Sequence, residues 1–422
     1  MGVEHDRGRG GGYDREPTEA ADAEQPCWGP LTGLSVLDMS LAMAGPFAAQ
    51  KLGDLGADVL KIEPVGSGEW HRSVAAGDAW LSSMNCSFLA FNRNKRSLAV
   101  DLKKDSGQQI VQQLVGKYDV VLQNFRPGVA ERLGVGYDQL RRINPSIVYC
   151  SMSGYGSVGP NAGLPGQDLL IQAYSGALWN VGAKTDGPQV SPFFVADATA
   201  AHLAVEGILA AVVARSRSGK GQHVQVNLLD AVIDLQTQEF SVYCNGGVGQ
   251  ERGLERTGHV YLKAPYGVFE TRSGWIAISM GPLQSLAKGL RDGALAELAG
   301  DEARSDRDLV YRLCRAACKR LDLDEAVTGL RDAGHWAGPV LDYRALLVDE
   351  QVAANQSFVV VDHPTEGTVK LTGIPIKFSE TPGTIRLPAP QLGADTLAVL
   401  RELAFSEEET NRFLAEGVVQ AK

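Results

Sequence analysis

The chain is short of the residues on which several kinds of chemistry depend. Its six cysteines, at positions 27, 86, 150, 244, 314 and 318, show no paired spacing. Cys314 and Cys318 stand one helical turn apart, but no second pair completes a zinc site. No metal is therefore expected, and reduced thiols in a cytoplasmic protein are the reading we prefer. Positive charge is scarce too: 40 Lys and Arg stand against 50 Asp and Glu, a net charge of −10. Nucleic acid, whose phosphates need a basic face, is not an expected partner. We read no apolar run that approaches the length of a bilayer span and no signal-peptide core, so no membrane partner is expected. The dinucleotide fingerprint G-x-G-x-x-G is missing as well. The first strand-to-helix turn reads DMSLAMAGPFAA, where one glycine is followed by Pro46, and Glu63 imitates a ribose-binding acid without a glycine partner.

What remains is globular in proportion: 422 residues, 44% hydrophobic and 21% charged, enough for two domains or one interrupted one. Residues 1–30 begin polar, glycine-rich and charged and are expected to form a disordered tail. LSVLDMS (34–40) predicts a buried strand, 44–56 a helix closed by Gly56, and DVLKIEP (58–64) the next strand. The alternation continues with helix 106–117, strand 119–125, helix 128–143 and strand 146–154. Such a pattern implies an α/β fold with a doubly wound, Rossmann-like sheet. Helical segments follow at 168–179 and from 198 to a left-handed cap at Gly219, and residues 223–243 hold a strand running into a helix. Beyond about residue 244 the texture changes, with a hairpin turning at Ser273-Gly274 and more charged helices to about 334. We therefore expect a large domain over 31–229, a smaller α+β domain over 230–340, and a return to the large domain over 341–422. That last part reads as antiparallel strands followed by two terminal helices.

Two loops are basic within this acidic chain. Arg93, Lys95 and Arg96 are expected just before a strand, and Arg126 sits in QNFRPG (123–128), after another. Ligands of open α/β sheets bind at the carboxyl ends of the strands, where such residues would suit phosphates.

At these residues the chain resembles a known family. GLSVLDMSLAMAGPFAAQKLGDLGADVLKIEP, NRNKRSLAVDLK, DVVLQNFRPGVAERLGVGYDQL, NPSIVYCSMSGYG and GILAAVVARSRSGKGQHVQVNLLDA occur in the order seen in class III coenzyme A transferases. That family includes the formyl-CoA and carnitine CoA transferases and the α-methylacyl-CoA racemases. The resemblance implies that Asp197, in FFVADATAAH, is a nucleophile that forms an aspartyl-CoA thioester. An acyl-CoA donor and a carboxylic acid acceptor would be the substrates, with no tightly bound cofactor. By local chemistry alone, Asp197 reads as the N-cap of a long apolar helix, and a helix N-terminus would keep it ionised at neutral pH.

The same resemblance implies CoA contacts at Met43 and Ala44, at Val100, Asp101, Leu102 and Lys103, at Asn124, Phe125 and Arg126, at Arg132, and at Pro165, Gly166, Gln167 and Asp168. It also implies an interlocked homodimer. Met43 and Pro64 depart from the formyl-CoA transferase pattern, which has Gln and Arg there. The glycine run that covers oxalate in those enzymes is absent, so oxalate and formate are not expected substrates. A racemase would need a His where Gln167 stands in GQDLLIQA, and no histidine occurs between His71 and His202. An amide cannot act as a base at neutral pH. Asp168 is the one nearby substitute, but it also reads as the N-cap of helix 169–179. A catalytically silent binding or scaffold protein is the remaining alternative. Trp70, Trp80 and Trp179 are candidates for lining an acyl pocket.

Overall fold

Pairs of adjacent apolar residues build the strands of the first sheet. In strand β1 (Ser35–Asp38), Val36 faces one hydrophobic cluster and Leu37 the other. The same division separates Val59 from Leu60 in β2 (Asp58–Glu63) and Val120 from Val121 in β4 (Val120–Gln123). A side-chain period of two thus feeds a core on each face, as a sheet covered by helices on both sides requires. The computed structural model describes residues 27–74, 76–298 and 306–422. The expected tail over 1–30 lies outside the described residues as far as residue 26.

With β3 (Lys95–Val100), β5 (Val148–Ser153) and β6 (His223–Asn227), the strands run in the order β3-β2-β1-β4-β5-β6, all parallel. This is the doubly wound order of a Rossmann-like sheet, in which direction reverses between β1 and β4. A seventh strand from the far end of the chain, Val419–Gln420, pairs antiparallel with β3 at the sheet edge. Helices α1 (Ala44–Asp54), α2 (Cys86–Phe91), α3 (Asp105–Val115), α4 (Val129–Arg132), α5 (Tyr137–Ile143), α6 (Asp168–Tyr174), α7 (Val195–Ser218) and α8 (Leu228–Leu235) complete this part. The helix expected over 128–143 is two, because Gly134 takes φ 71° between α4 and α5.

Helix α7 buries Ala196, Ala200, Ala201 and Ala204 in the same cluster as Ala48 and Ala49 of α1. Small side chains let the two helices approach closely, which brings the start of α7 to the sheet edge. Its 24 residues are also long and apolar enough, by length and composition, to cross a membrane. This corrects the expectation that no apolar run approaches that length; here the helix packs on α1, α8, β5 and β6. Gly219 caps it in the left-handed conformation, with its N–H on the Arg215 carbonyl.

A separate cluster gathers Phe269, Ile276, Leu286, Val310, Tyr311 and Leu330 around the antiparallel strands Gly267–Glu270, Trp275–Ile278 and Ala337–Pro339. Leu228, Ala231 and Val232 of α8, by contrast, belong to the cluster under α7. Phe358–His363 and Gly367–Thr372 form the antiparallel hairpin that the alternation indicates, while residues 373–391 hold no regular element.

The basic trio before β3 is not a phosphate site. Arg93 is buried and pairs with Asp54, and Arg96 is held by Asp58 and Glu402. Lys95, inside β3, is fully buried and donates to Asp38 at 2.9 Å, to the Pro46 carbonyl and to Asn92. Lys61 lies 3.6 Å from the same Asp38 oxygen and donates to the Ser40 carbonyl. Two ammonium groups around one carboxylate thus tie the start of α1 and the loop after β1 to the sheet.

Candidate active site

A cavity of about 900 Å³ opens at the carboxyl ends of β1 and β4, the switch point of the sheet. Its walls include four short segments, 42–44 after β1, 124–127 after β4, 164–169 leading into α6 and 190–197 leading into α7, together with residues from 70–76, from α2 and from the end of β5. A second cavity of about 760 Å³ contains none of the residues expected in the site.

The loop after β1 is shaped by Asn124. Its Oδ1 accepts the Leu41 N–H at 2.8 Å and its Nδ2 donates to the Leu41 carbonyl at 2.7 Å. Ala42 has φ 62°, and its N–H is held by a buried Glu69 oxygen at 3.0 Å. On the opposite wall, Gly154 and Gly166 lie back to back. A Cβ on Gly166 would stand 2.1 Å from the Gly154 Cα, so no side chain fits at either position. That contact fixes Pro165 to Asp168 against the end of β5.

Asp168 is the centre of the arrangement, at 3% exposure. It is the first residue of α6, but its carboxylate does not cap its own helix. Oδ1 accepts the N–H groups of Ala196 at 2.7 Å and Asp197 at 3.1 Å, and Oδ2 accepts from Gln172 at 2.6 Å. Gln172 in turn accepts the Ser191 N–H at 3.0 Å, tying α6 to the wall segment before α7. Both sequence expectations of capping are therefore corrected. α7 begins at Val195, its N-cap Phe194 offers no side-chain acceptor, and Asp168 supplies the cap from a neighbouring helix.

Asp197 lies in the first turn of α7 and lines the cavity. Burial raises its pKa to about 7, and the nearby Asp168 carboxylate adds to the rise. The expectation that the helix end keeps it ionised at neutral pH is thus corrected: Asp168 takes the N–H groups, and desolvation outweighs the dipole. A carboxylate poised near neutrality in a cleft has the properties of an acyl acceptor or a base.

Of the other expected contacts, Met43, Ala44, Asn124, Phe125, Arg126, Pro165, Gly166, Gln167 and Asp168 all line this cavity with Asp197. Val100, Asp101, Leu102, Lys103 and Arg132 are not in its lining. Val100 is in the core, and the Asp101 N–H is bonded to Val418 beside the C-terminal strand. Among the tryptophans only Trp70 lines this cavity; Trp80 bonds Asp78, and Trp179 lies under Arg252. The sequence reading missed His71, Phe91, Phe193 and Phe194, which line it too. Phe193 and Phe194 stand just before Asp197 in the FFVAD stretch, and that nearness is the signal that marks them. His71 gave no such signal. Among the described residues, no three His, Cys, Asp or Glu side chains are grouped to hold a metal ion.

A doubly wound sheet with an acidic side chain at a helix start over its switch point has the layout of an α/β enzyme. Comparison with known proteins narrows this. The sequence profile of CoA-transferase family III matches residues 31–396, and the chain belongs to that family and is a transferase. It is 32% identical to the succinyl-CoA:glutarate CoA-transferase of Mus musculus over 93% of this chain and 90% of that protein. It is also 32% identical to the acetyl-CoA:oxalate CoA-transferase of Acetobacter aceti, over 90% of this chain and 97% of that protein. Among solved structures, a CAIB/BAIF family protein from Brucella suis superposes with a TM-score of 0.78 at 29% identity, covering 89% of this chain and 99% of that one.

Proposed function

We propose that the protein moves CoA from an acyl-CoA to a carboxylic acid through an aspartyl-CoA thioester at Asp197. The observation that carries the reading is the cavity-lining carboxylate of Asp197, in the first turn of α7, left free of capping bonds because the N–H groups there are taken by Asp168, the other carboxylate of the lining. Deprotonated Asp197 attacks the thioester carbonyl, the C–S bond breaks, and CoA thiolate leaves a mixed anhydride. The thiolate then attacks the aspartyl carbonyl, releasing the donor acid and leaving CoA on Asp197. The acceptor carboxylate attacks this thioester, and the returning thiolate takes the new acyl group and frees Asp197. Each bond broken is replaced by one of its kind, so the cycle needs no oxidant or ATP. The Pro165–Asp168 wall and residues 43–44 and 124–126 would hold the pantetheine arm and the phosphates, with exposed Arg126 as the charged contact. Residues 100–103 and Arg132 would reach only the nucleotide end.

The relatives' names point to small dicarboxylic acids. One of them is named for oxalate, so the missing glycine run does not by itself weigh against that acid. Incubation with succinyl-CoA followed by hydroxylamine or borohydride is expected to modify Asp197, read by peptide mass spectrometry. Unmodified Asp197 in protein that nevertheless exchanges CoA would end the covalent reading. The interlocked homodimer belongs to the same proposal, supported by Tyr343 and Val348, which are 86% and 81% exposed in the single chain. Sedimentation is expected to give twice the chain mass; a monomer at micromolar concentration would overturn it.

A further inference from the structure

We propose that His71 reads the acid: its Nε2 donates a hydrogen bond to the free carboxylate at the far end of a dicarboxylic acyl chain. This rests on the transferase reading above and adds to it the group that selects the substrate class.

Among the residues lining the cavity, the basic side chains are Arg126 and His71. Arg126 follows β4, where the phosphates of CoA are placed. Gln167, next to Asp168, can donate but cannot take up charge, and the other amides of the lining are already engaged, Asn124 on both sides by Leu41 and Gln172 by Asp168 and Ser191. His71 is not. Its ring is fixed between Trp70, with centroids 5.2 Å apart, and Phe91, stacked at 5.9 Å. Its side chain makes no short hydrogen bond to another residue, although the Ala42 backbone lies close to the ring; Nδ1 is enclosed, and Nε2 is not. A carboxylate bound beside Nε2 draws a proton onto that nitrogen, whichever of the two carries it in the empty site. Burial lowers the imidazole pKa against the opposing pull of Glu69 and the Ala42 backbone, which keeps the ring neutral when no acid is bound.

The chemistry of the substrate supplies the other half. When one end of a dicarboxylic acid becomes a thioester, the other remains an anion. Val74, Ala90, Phe91 and Leu164 give the walls around it no charge to offer. A carboxylate brought there without a donor is penalised by desolvation. One that accepts from His71 gains a charge-assisted bond, and a monocarboxylic chain of equal length gains nothing from it.

The test compares glutarate with pentanoate as acceptors from succinyl-CoA, acids of equal length that differ in the second carboxylate. The native protein is expected to prefer glutarate. His71→Phe is expected to lower kcat/KM for glutarate about 10- to 100-fold, mostly through KM, the size of one hydrogen bond to a charged group. Pentanoate turnover should be unchanged or improved. His71→Gln, which carries an amide N–H close to the Nε2 position, should restore part of the preference. A glutarate-to-pentanoate ratio that is the same in His71→Phe as in the native protein overturns the inference, whether both activities fall or neither does. So does a native preference for pentanoate. If the native protein passes CoA to neither acid, from succinyl-CoA or any other acyl-CoA, the transferase reading itself fails, and that result is separate from a lost ratio.

Discussion

Asp197→Asn is expected to lose CoA exchange by at least ~10³-fold, as removal of a covalent nucleophile does. Its fold and CoA binding should persist, because Asp168, and not Asp197, caps α7. The native enzyme carries a second signature of the same group. Attack requires the deprotonated form, so kcat/KM should climb as pH rises through about 7, the value to which burial and Asp168 raise Asp197. Asp168→Asn keeps an oxygen for the two N–H groups but removes the neighbouring charge, so the climb should move to lower pH. The effect on stability has the opposite sense. With a pKa raised from 3.8 in the open chain to about 7, Asp197 holds its proton more tightly when folded. Its contribution to stability is therefore lost as pH rises from about 4 through about 7. Asp197→Asn should consequently be more stable than native protein at pH 8, by about 1–3 kcal/mol, and no more stable at pH 4. A variant with full turnover, or with no gain in stability at pH 8, would contradict the roles given to this carboxylate.

Lys95→Ala is expected to destabilise the protein by about 3–5 kcal/mol, read from the urea midpoint, because it removes one partner from a buried charge cluster. Burial by itself would raise the Asp38 carboxyl, but Lys61 and Lys95 more than offset it and hold the pKa down to about 2. The Lys95 ammonium is pushed down by burial to about 8, with Asp38 pulling the other way. Without Lys95, Asp38 keeps only Lys61 at 3.6 Å, and the Pro46 carbonyl and Asn92 lose their donor. The double variant Asp38→Leu, Lys95→Met should recover much of the loss, since paired apolar replacements leave no orphaned charge. A single variant within 1 kcal/mol of native would mean that Lys61 alone satisfies Asp38.

The sheet was legible because its signal is local. Each strand announces itself by adjacent apolar residues, as Val36-Leu37 and Val120-Val121 do, and each helix by its own spacing. The partners of charged groups are not local, and there the sequence misled. Arg93, Lys95 and Arg96 read as an open basic loop because Asp38, Asp54, Asp58 and Glu402, which absorb them, lie far away along the chain. Asp197 read as a cap for the same reason: its true neighbour, Asp168, is 29 residues earlier. Asp197 stood out through its resemblance to a family, and the protonation that burial imposes on it needed the fold. His71 was invisible because its meaning lies in the neighbours it lacks.

Ribosomes deliver this sheet out of order. β3 is made early, yet the strand that covers its outer edge, Val419–Gln420, is made far later. Until then a row of bare peptide groups faces the crowded cell, a ready template for misassembly. Deleting Val419 and Gln420 would leave that rim open for good, and inclusion bodies, more than slow turnover, would be the first sign.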